Sequence, residues 1–173
     1  MSTARPRAAA RRPLIGALLR FAWLQVRRQM AADIAAAGFD DLQDAHLSVF
    51  HYPGPDGLRP SALGRQLRMS RQATNHLIKQ LEELGYLERR SAAGDRRRVH
   101  LTRRGRKLMA TIEASVRGCE RSMEKRVGRA TFVVFFGALE KICDDAGDRR
   151  WQQIGVPQVS ARRLAGRKHR PPR

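Results

Sequence analysis

The sequence predicts a mainly α-helical chain with one small β-hairpin. Three observations predict it. Apolar residues recur at three- and four-residue spacing through most of 14–146, and only the stretch 86–102 alternates at a period of two. Glycine and proline fall at the joints between these stretches, at Gly38, Pro53-Gly54-Pro55, Gly85 and Gly128. Charge is partitioned: of the net +19, residues 59–107 carry +10, 1–12 carry +4 and 149–173 carry +8, while 13–58 and 108–148 are close to neutral.

Residues 1–12 are rich in Ala, Arg and Pro and hold no acid, the composition of a disordered basic tail. From Pro13 to about Ala37, Leu14, Leu18, Phe21, Leu24 (or Gln25) and Ile34 share one side of a helix that Gly38 stops. A shorter helix over 40–52 is marked by Leu42, Ala45, Leu47, Val49 and Phe50, and Pro53-Gly54-Pro55-Asp56-Gly57 is a loop. Pro60 opens a third helix over 61–67, with Leu63 and Leu67 on one face. Met69 and Ser70 then form a turn, and Ser70 is placed to accept a first-turn N–H of the next helix. That helix, 71–84, stacks Ala73, Leu77, Leu81 and Leu84, with Ile78 widening the stripe and Gly85 ending it.

Tyr86–Arg90 and Val99–Thr102 alternate as two strands around Ser91-Ala92-Ala93-Gly94-Asp95. A long helix follows to about Val127, its inner face marked by Leu108, Ile112, Ser115 or Val116, Cys119, Met123 and Val127. After Gly128 a last helix, 130–146, carries Phe132-Val133-Val134-Phe135-Phe136, then Leu139 and Ile142. A helix apolar nearly all round needs burial, and in so short a chain a second copy is expected to supply it. The tail from 148 to 173 is again basic, with Trp151 and Ile154 as anchors.

Charge of this sign and size calls for a polyanionic partner, nucleic acid or an anionic membrane surface. The residue types select the first. On helix 71–84, Arg71, Gln72, Thr74, Asn75 and Lys79 are read as the face opposite the leucines, and with Ser70 at its start they are the expected DNA contacts. Arg suits guanine, Gln and Asn suit adenine, and a Thr methyl suits thymine, while Lys79 suits phosphate. The hairpin tip is expected to hold Asp95, Arg96, Arg97 and Arg98, neighbouring cations whose repulsion a narrow minor groove would relieve. Asp95 could orient one of them through a bidentate pair.

Ser70-Arg71-Gln72-Ala73-Thr74-Asn75-His76-Leu77-Ile78-Lys79-Gln80-Leu81-Glu82-Glu83-Leu84-Gly85-Tyr86-Leu87-Glu88-Arg89-Arg90, followed by Asp95 and Leu101-Thr102-Arg103-Arg104-Gly105, resembles the MarR family of winged-helix transcriptional regulators. The order of elements also agrees, over about 14–147. The resemblance implies a winged helix-turn-helix DNA-binding lobe at about 40–102, plus a helical dimerisation region at about 13–37 and 103–147. It implies a cytoplasmic homodimer, a repressor that binds double-stranded DNA at a pseudo-palindromic operator, with helix 71–84 in the major groove. By position, Asp95 and Arg97 would be the wing pair that reaches the minor groove. This wing is shorter than is usual in the family, which leaves the choice among Arg96, Arg97 and Arg98 open. Phosphate contacts would come from Arg65, Arg68, Lys79 and Arg89 or Arg90. The family often answers small phenolic or aromatic effectors, and Trp23, Arg27, His46, His51 and Tyr52 are the candidates here to line such a pocket. A family branch that senses oxidants through a cysteine early in the first helix does not apply, because no cysteine precedes Cys119.

Other classes find little support. Two cysteines, Cys119 and Cys143, suit a reducing compartment and are expected to be inert packing residues. No apolar run approaches a membrane span, and Gly16 and Arg20 interrupt the early apolar stretch, against a signal peptide. No metal-ligand spacing, glycine-rich phosphate loop or nucleophile motif occurs, so neither an enzyme nor a cofactor is expected. The alternative to a regulator is a sequence-independent architectural DNA binder gripping through its basic tails.

Overall fold

The computed structural model of the protein describes residues 12–50, 56–92 and 95–145, with side chains placed except at 91–92, 95–97 and 144–145. Six helices and one hairpin follow in the order α1 (Ile15–Ala36), α2 (Asp44–Phe50), α3 (Pro60–Leu67), α4 (Arg71–Glu83), β1 (Leu87–Ala92), β2 (Asp95–Leu101), α5 (Arg103–Val127) and α6 (Arg129–Asp145). The expected basic tails and the early loop residues 51–55 lie outside the described residues.

The core sits beneath α4. Leu77, Ile78 and Leu81 of α4 meet Leu63 of α3, Val49 and Phe50 of α2, Tyr86 and Leu87 of β1, and Val99 and Leu101 of β2. Met30 and Ile34 from the end of α1, with Leu108 and Ile112 from the start of α5, close the same cluster. The lobe is therefore built onto one end of the α1–α5 pair, and those two helices pack along each other as they leave it.

Hydroxyl caps start the two helices that matter most. Ser70 Oγ accepts from Ala73 N at 3.1 Å, as expected, and Thr102 Oγ1 accepts from Gly105 N at 3.0 Å. Between α3 and α4 the chain turns through Arg68, whose φ of 53° is the left-handed conformation that normally selects glycine. Gly105 allows α5 to start hard against the lobe, since a Cβ there would stand 2.2 Å from the Tyr86 carbonyl oxygen.

The hairpin is longer than the alternation predicts. Its antiparallel register pairs Leu87 with Leu101, Glu88 with His100, Arg89 with Val99, Arg90 with Arg98, and Ala92 with Asp95, with a register shift between Arg90 and Ala92. Asp95 to Arg98 thus belong to β2 rather than to the connecting tip, because backbone pairing continues past the last apolar residue. Leu58 adds a third short rung: Val99 N donates to Leu58 O at 2.9 Å and Gly57 N donates to Val99 O at 2.8 Å. Asp56 secures this rung by accepting from Leu101 N at 3.1 Å and pairing with His100 Nδ1 at 3.1 Å.

The flanking helices depart from expectation in burial. Only Met30 and Ile34 of α1 are buried, whereas Leu14, Leu18, Phe21 and Trp23 are 81%, 52%, 65% and 47% exposed. In α6, Val134, Phe135, Phe136 and Ile142 are likewise exposed, and so is Cys143, which is not a packing residue within this chain. The expected stripes are present, but among the described residues they stay exposed.

Candidate nucleic-acid interface

Helix α4 is amphipathic in the strict sense that its two faces do different things. Thr74, Leu77, Ile78 and Leu81, at i, i+3, i+4 and i+7, are buried against the lobe. Arg71, Gln72, His76 and Lys79 are exposed on the other side, and Asn75 is half-buried between them. Thr74 is a correction to the sequence reading. Its side chain is 1% exposed, its hydroxyl donates to Ser70 O at 2.9 Å, and it packs onto Gly64 of α3. Thr74, not Ala73, completes the buried stripe, so its methyl cannot reach a thymine.

Beside α4 runs an open groove of about 910 Å³ lined by Arg59, Ser61, Arg71, Asn75, His76, Lys79, Glu82 and Arg89. Strand β1 supplies Arg89, held by Glu82 of α4 at 3.1 Å. The next residue points away from it: Arg90 donates to Glu88 Oε1 from Nε at 3.0 Å and from Nη2 at 2.6 Å. Of the two arginines left open as phosphate contacts, Arg89 is the one that lines the groove. Lys79 lies 3.6 Å from Glu83 one turn along, a loose exposed pair that leaves its ammonium available to a stronger anion. Arg59, Ser61 and His76 join this surface without having been anticipated. His76 follows from its spacing with Gln72 and Lys79, whereas Arg59 and Ser61 are brought in only by the α3–α4 crossing.

At the wing, Arg98 sits opposite Arg90, a like-charge cross-strand pair that is unfavourable unless each finds another partner. Arg98 Nη1 donates to Gly57 O at 2.8 Å, so this arginine braces the wing against the loop before α3. The side chains of Asp95, Arg96 and Arg97 lie outside the described residues.

Among the described residues, the candidate effector residues Trp23, Arg27 and His46 line neither the α4 groove nor the groove between α1 and α5. Arg27 on α1 pairs with Asp44 at the start of α2, and Trp23 is exposed one turn earlier. His46 is buried, with Nδ1 accepting from Gln43 N at 3.1 Å and Nε2 at 3.3 Å from Gln80 Oε1 of α4. Both ring nitrogens are engaged, which makes His46 a structural link between α2 and α4. His51 and Tyr52 lie outside the described residues. A groove of about 650 Å³ does separate α1 from α5, but Gln25, Gln29, Asp33, Ser115, Cys119 and Arg121 line it instead. There Asp33 accepts from Ser115 Oγ at 2.5 Å and from Gln29 Nε2 at 2.8 Å, and these bonds lower the pKa of the Asp33 carboxyl. Burial, with Asp33 and Glu120 nearby, pushes the Cys119 thiol up, away from the thiolate form. Among the described residues no cluster of His, Cys, Asp or Glu is arranged to hold a metal ion, and no helix is long and apolar enough to cross a membrane.

Residues 40–98, which span α2 to the wing, match the sequence model of the MarR family. Over that segment the chain is similar to the MarR family. Solved MarR-family structures share the winged-helix fold well beyond that segment. A Mycobacterium tuberculosis MarR family protein in complex with salicylic acid is 25% identical, with a TM-score of 0.55 over 78% of this chain and 99% of that one. A Mycobacterium tuberculosis MarR family protein in complex with DNA aligns at 24% identity and a TM-score of 0.56, over 76% of this chain and 98% of the other. A Thermotoga maritima transcriptional regulator shows the same fold at 18% identity and a TM-score of 0.57, over 76% and 95% of the two chains. No curated protein matches the chain significantly in sequence.

Proposed function

We propose that this protein is a homodimeric repressor of the MarR type that binds double-stranded DNA sequence-specifically, at a pseudo-palindromic operator. The outer face of α4 carries the reading: Arg71, Gln72, Asn75, His76 and Lys79 project from a helix whose other face is locked into the core. Arg, Gln and Asn can each make paired hydrogen bonds to a base edge in the major groove, while Lys79, Arg89, Arg65 and Arg68 supply phosphate contacts. The wing, Asp95 to Arg98, addresses the adjacent minor groove.

The second copy is argued from the uncovered apolar faces of α1 and α6. Leu14, Ile15, Leu18 and Phe21, and on α6 Val134 and Ile142, are more than half exposed, apolar surface of the kind that an interface covers. Two α4 helices related by a twofold axis would then meet successive major grooves about 34 Å apart. A small aromatic acid would act by favouring dimers whose α4 helices are misplaced. The relative bound to salicylic acid supports that ligand class.

Selection of bound duplexes from a random pool at physiological salt tests the reading. Enrichment of one inverted repeat, weakened by salicylate, is the expected result. Tight binding without enrichment would overturn it in favour of an architectural DNA binder, which predicts steep salt dependence and little sequence preference.

A further inference from the structure

Away from the α4 groove, three segments meet at one polar knot. Asp41, from the connection between α1 and α2, accepts from Tyr86 Oη on Oδ1 at 2.5 Å and from Arg104 Nη2 on Oδ2 at 2.9 Å. Arg104, in the first turn of α5, also donates from Nη1 to Leu84 O at 2.9 Å. Its guanidinium lies 4.4 Å from the centroid of the Tyr86 ring, which Phe39 and Phe50 flank. Thr102 adds hydrogen bonds from its hydroxyl to Gly85 O at 2.6 Å and from its N–H to Tyr86 O at 3.0 Å.

Leu84 is the C-cap of α4, and Gly85 and Tyr86 turn the chain into the wing. The end of the DNA-facing helix is thus fastened by side chains that belong to the α1 and α5 ends of the molecule. The fastening is directional. A helix C-terminus presents carbonyls with no intrahelical donor, and Arg104 satisfies one while the same planar fork holds a carboxylate. A lysine could make one of these bonds, not both with the ring stacked beneath it. Tyr86 is fully buried, so the knot has little room to relax around a missing partner.

We propose that Asp41 and Arg104 are positioning residues for DNA recognition. They set the direction of α4 relative to the α1–α5 pair, and so the half-site spacing that a dimer accepts. Neither residue lines the α4 groove, so neither reads sequence itself. This inference rests on the homodimeric DNA-binding reading above, through α4.

The test compares wild type with Asp41→Asn, Arg104→Lys and Tyr86→Phe, the last keeping the ring and removing one hydrogen bond. Binding is measured on duplexes with the selected half-sites at the preferred spacing, and with one base pair added or removed. Discrimination between spacings should fall about 5-fold or more in Asp41→Asn, the lower end of ordinary coupling between sites, while half-site sequence preference is unchanged. Arg104→Lys, which keeps the charge but loses the fork, should fall between wild type and Asp41→Asn. Equal loss of affinity at every spacing would assign the knot to stability alone and overturn the proposal. Amide hydrogen exchange on the full chain provides the second measurement. Faster exchange confined to the last turn of α4 and residues 84–87 is expected, with α5 still protected. Unchanged exchange there overturns the positioning role even if wild type selects no operator, a result that by itself would refute only the DNA-binding reading.

Discussion

Thr74 lies so close to Gly64 that a Cβ on the glycine would meet the threonine hydroxyl oxygen at 2.7 Å. That hydroxyl cannot simply swing aside, because it is buried and bonded to Ser70 O. The contact sets the approach of α3 to α4, and through it the height at which α4 stands above the core. Gly64→Ala should destabilise the protein by ~1–3 kcal/mol through overpacking. Adding Thr74→Ala should recover part of that loss, because it removes the atom being struck. Urea denaturation of the two single variants and the double variant measures the coupling, and strictly additive losses would sink the explanation.

Arg68 carries the left-handed conformation between α3 and α4 with a side chain that is exposed and has a positive charge. For a residue with a Cβ this conformation costs roughly 1–2 kcal/mol. Arg68→Gly should relieve it, partly offset by the greater freedom of glycine in the unfolded chain, for a net gain of about 0.5 kcal/mol. If the arginine is kept for phosphate, the same change should weaken DNA binding and lower the salt slope by about 1. Thermal denaturation and salt-dependent binding should therefore move in opposite directions. A variant that gains stability at no cost in affinity would leave the strained arginine without a purpose.

What could be read from the sequence was the local part. The Ser70 cap, the 77–78–81 stripe and the Gly85 stop are encoded within one helix, and they appear as expected. Thr74 was misread because its residue type suits DNA while its spacing, three and four residues from Leu77 and Ile78, suits the core; spacing won. Leu14, Leu18 and Phe21 form a real apolar face, but periodicity says only that a face needs covering, not which chain covers it. The Asp41–Tyr86–Arg104 knot joins residues separated by 45 and 63 positions, and no local pattern announces it. Arg98 was assigned to a loop tip because its neighbours are charged, yet backbone pairing runs through it regardless of side-chain type.

Tyr86 offers a pH test of the same knot. Burial pushes its phenol well above the ordinary tyrosine value, the Asp41 carboxylate adds to the rise, and Arg104 opposes it. In the unfolded chain tyrosine ionises at about 10. Above that pH the unfolded state releases a proton that the folded state keeps, so this contribution to stability is intact below about 10 and declines as pH rises further. An alkaline titration followed by tyrosinate absorbance should show a component delayed beyond the ordinary value and absent from Tyr86→Phe. Indistinguishable curves would mean that the phenol is more accessible than its contacts imply.

Base contacts and phosphate contacts on α4 should separate cleanly. Gln72 is exposed, so Gln72→Ala should relax sequence choice at one operator position by ~1–3 kcal/mol and leave the others alone. Asn75→Ala should behave in the same way at a neighbouring position. Among the described residues Lys79 makes a loose pair with Glu83, so Lys79→Ala should weaken all sequences alike and reduce the salt slope by about 1. Thr74→Ser gives the control that the structure adds. A thymine-methyl contact would lose selectivity when the methyl is removed, whereas a buried packing residue should lose stability and keep its operator. Repeating the random-pool selection with each variant distinguishes these patterns position by position. If Thr74→Ser changed the enriched half-site while Gln72→Ala did not, the outer face of α4 would not be the one that reads DNA.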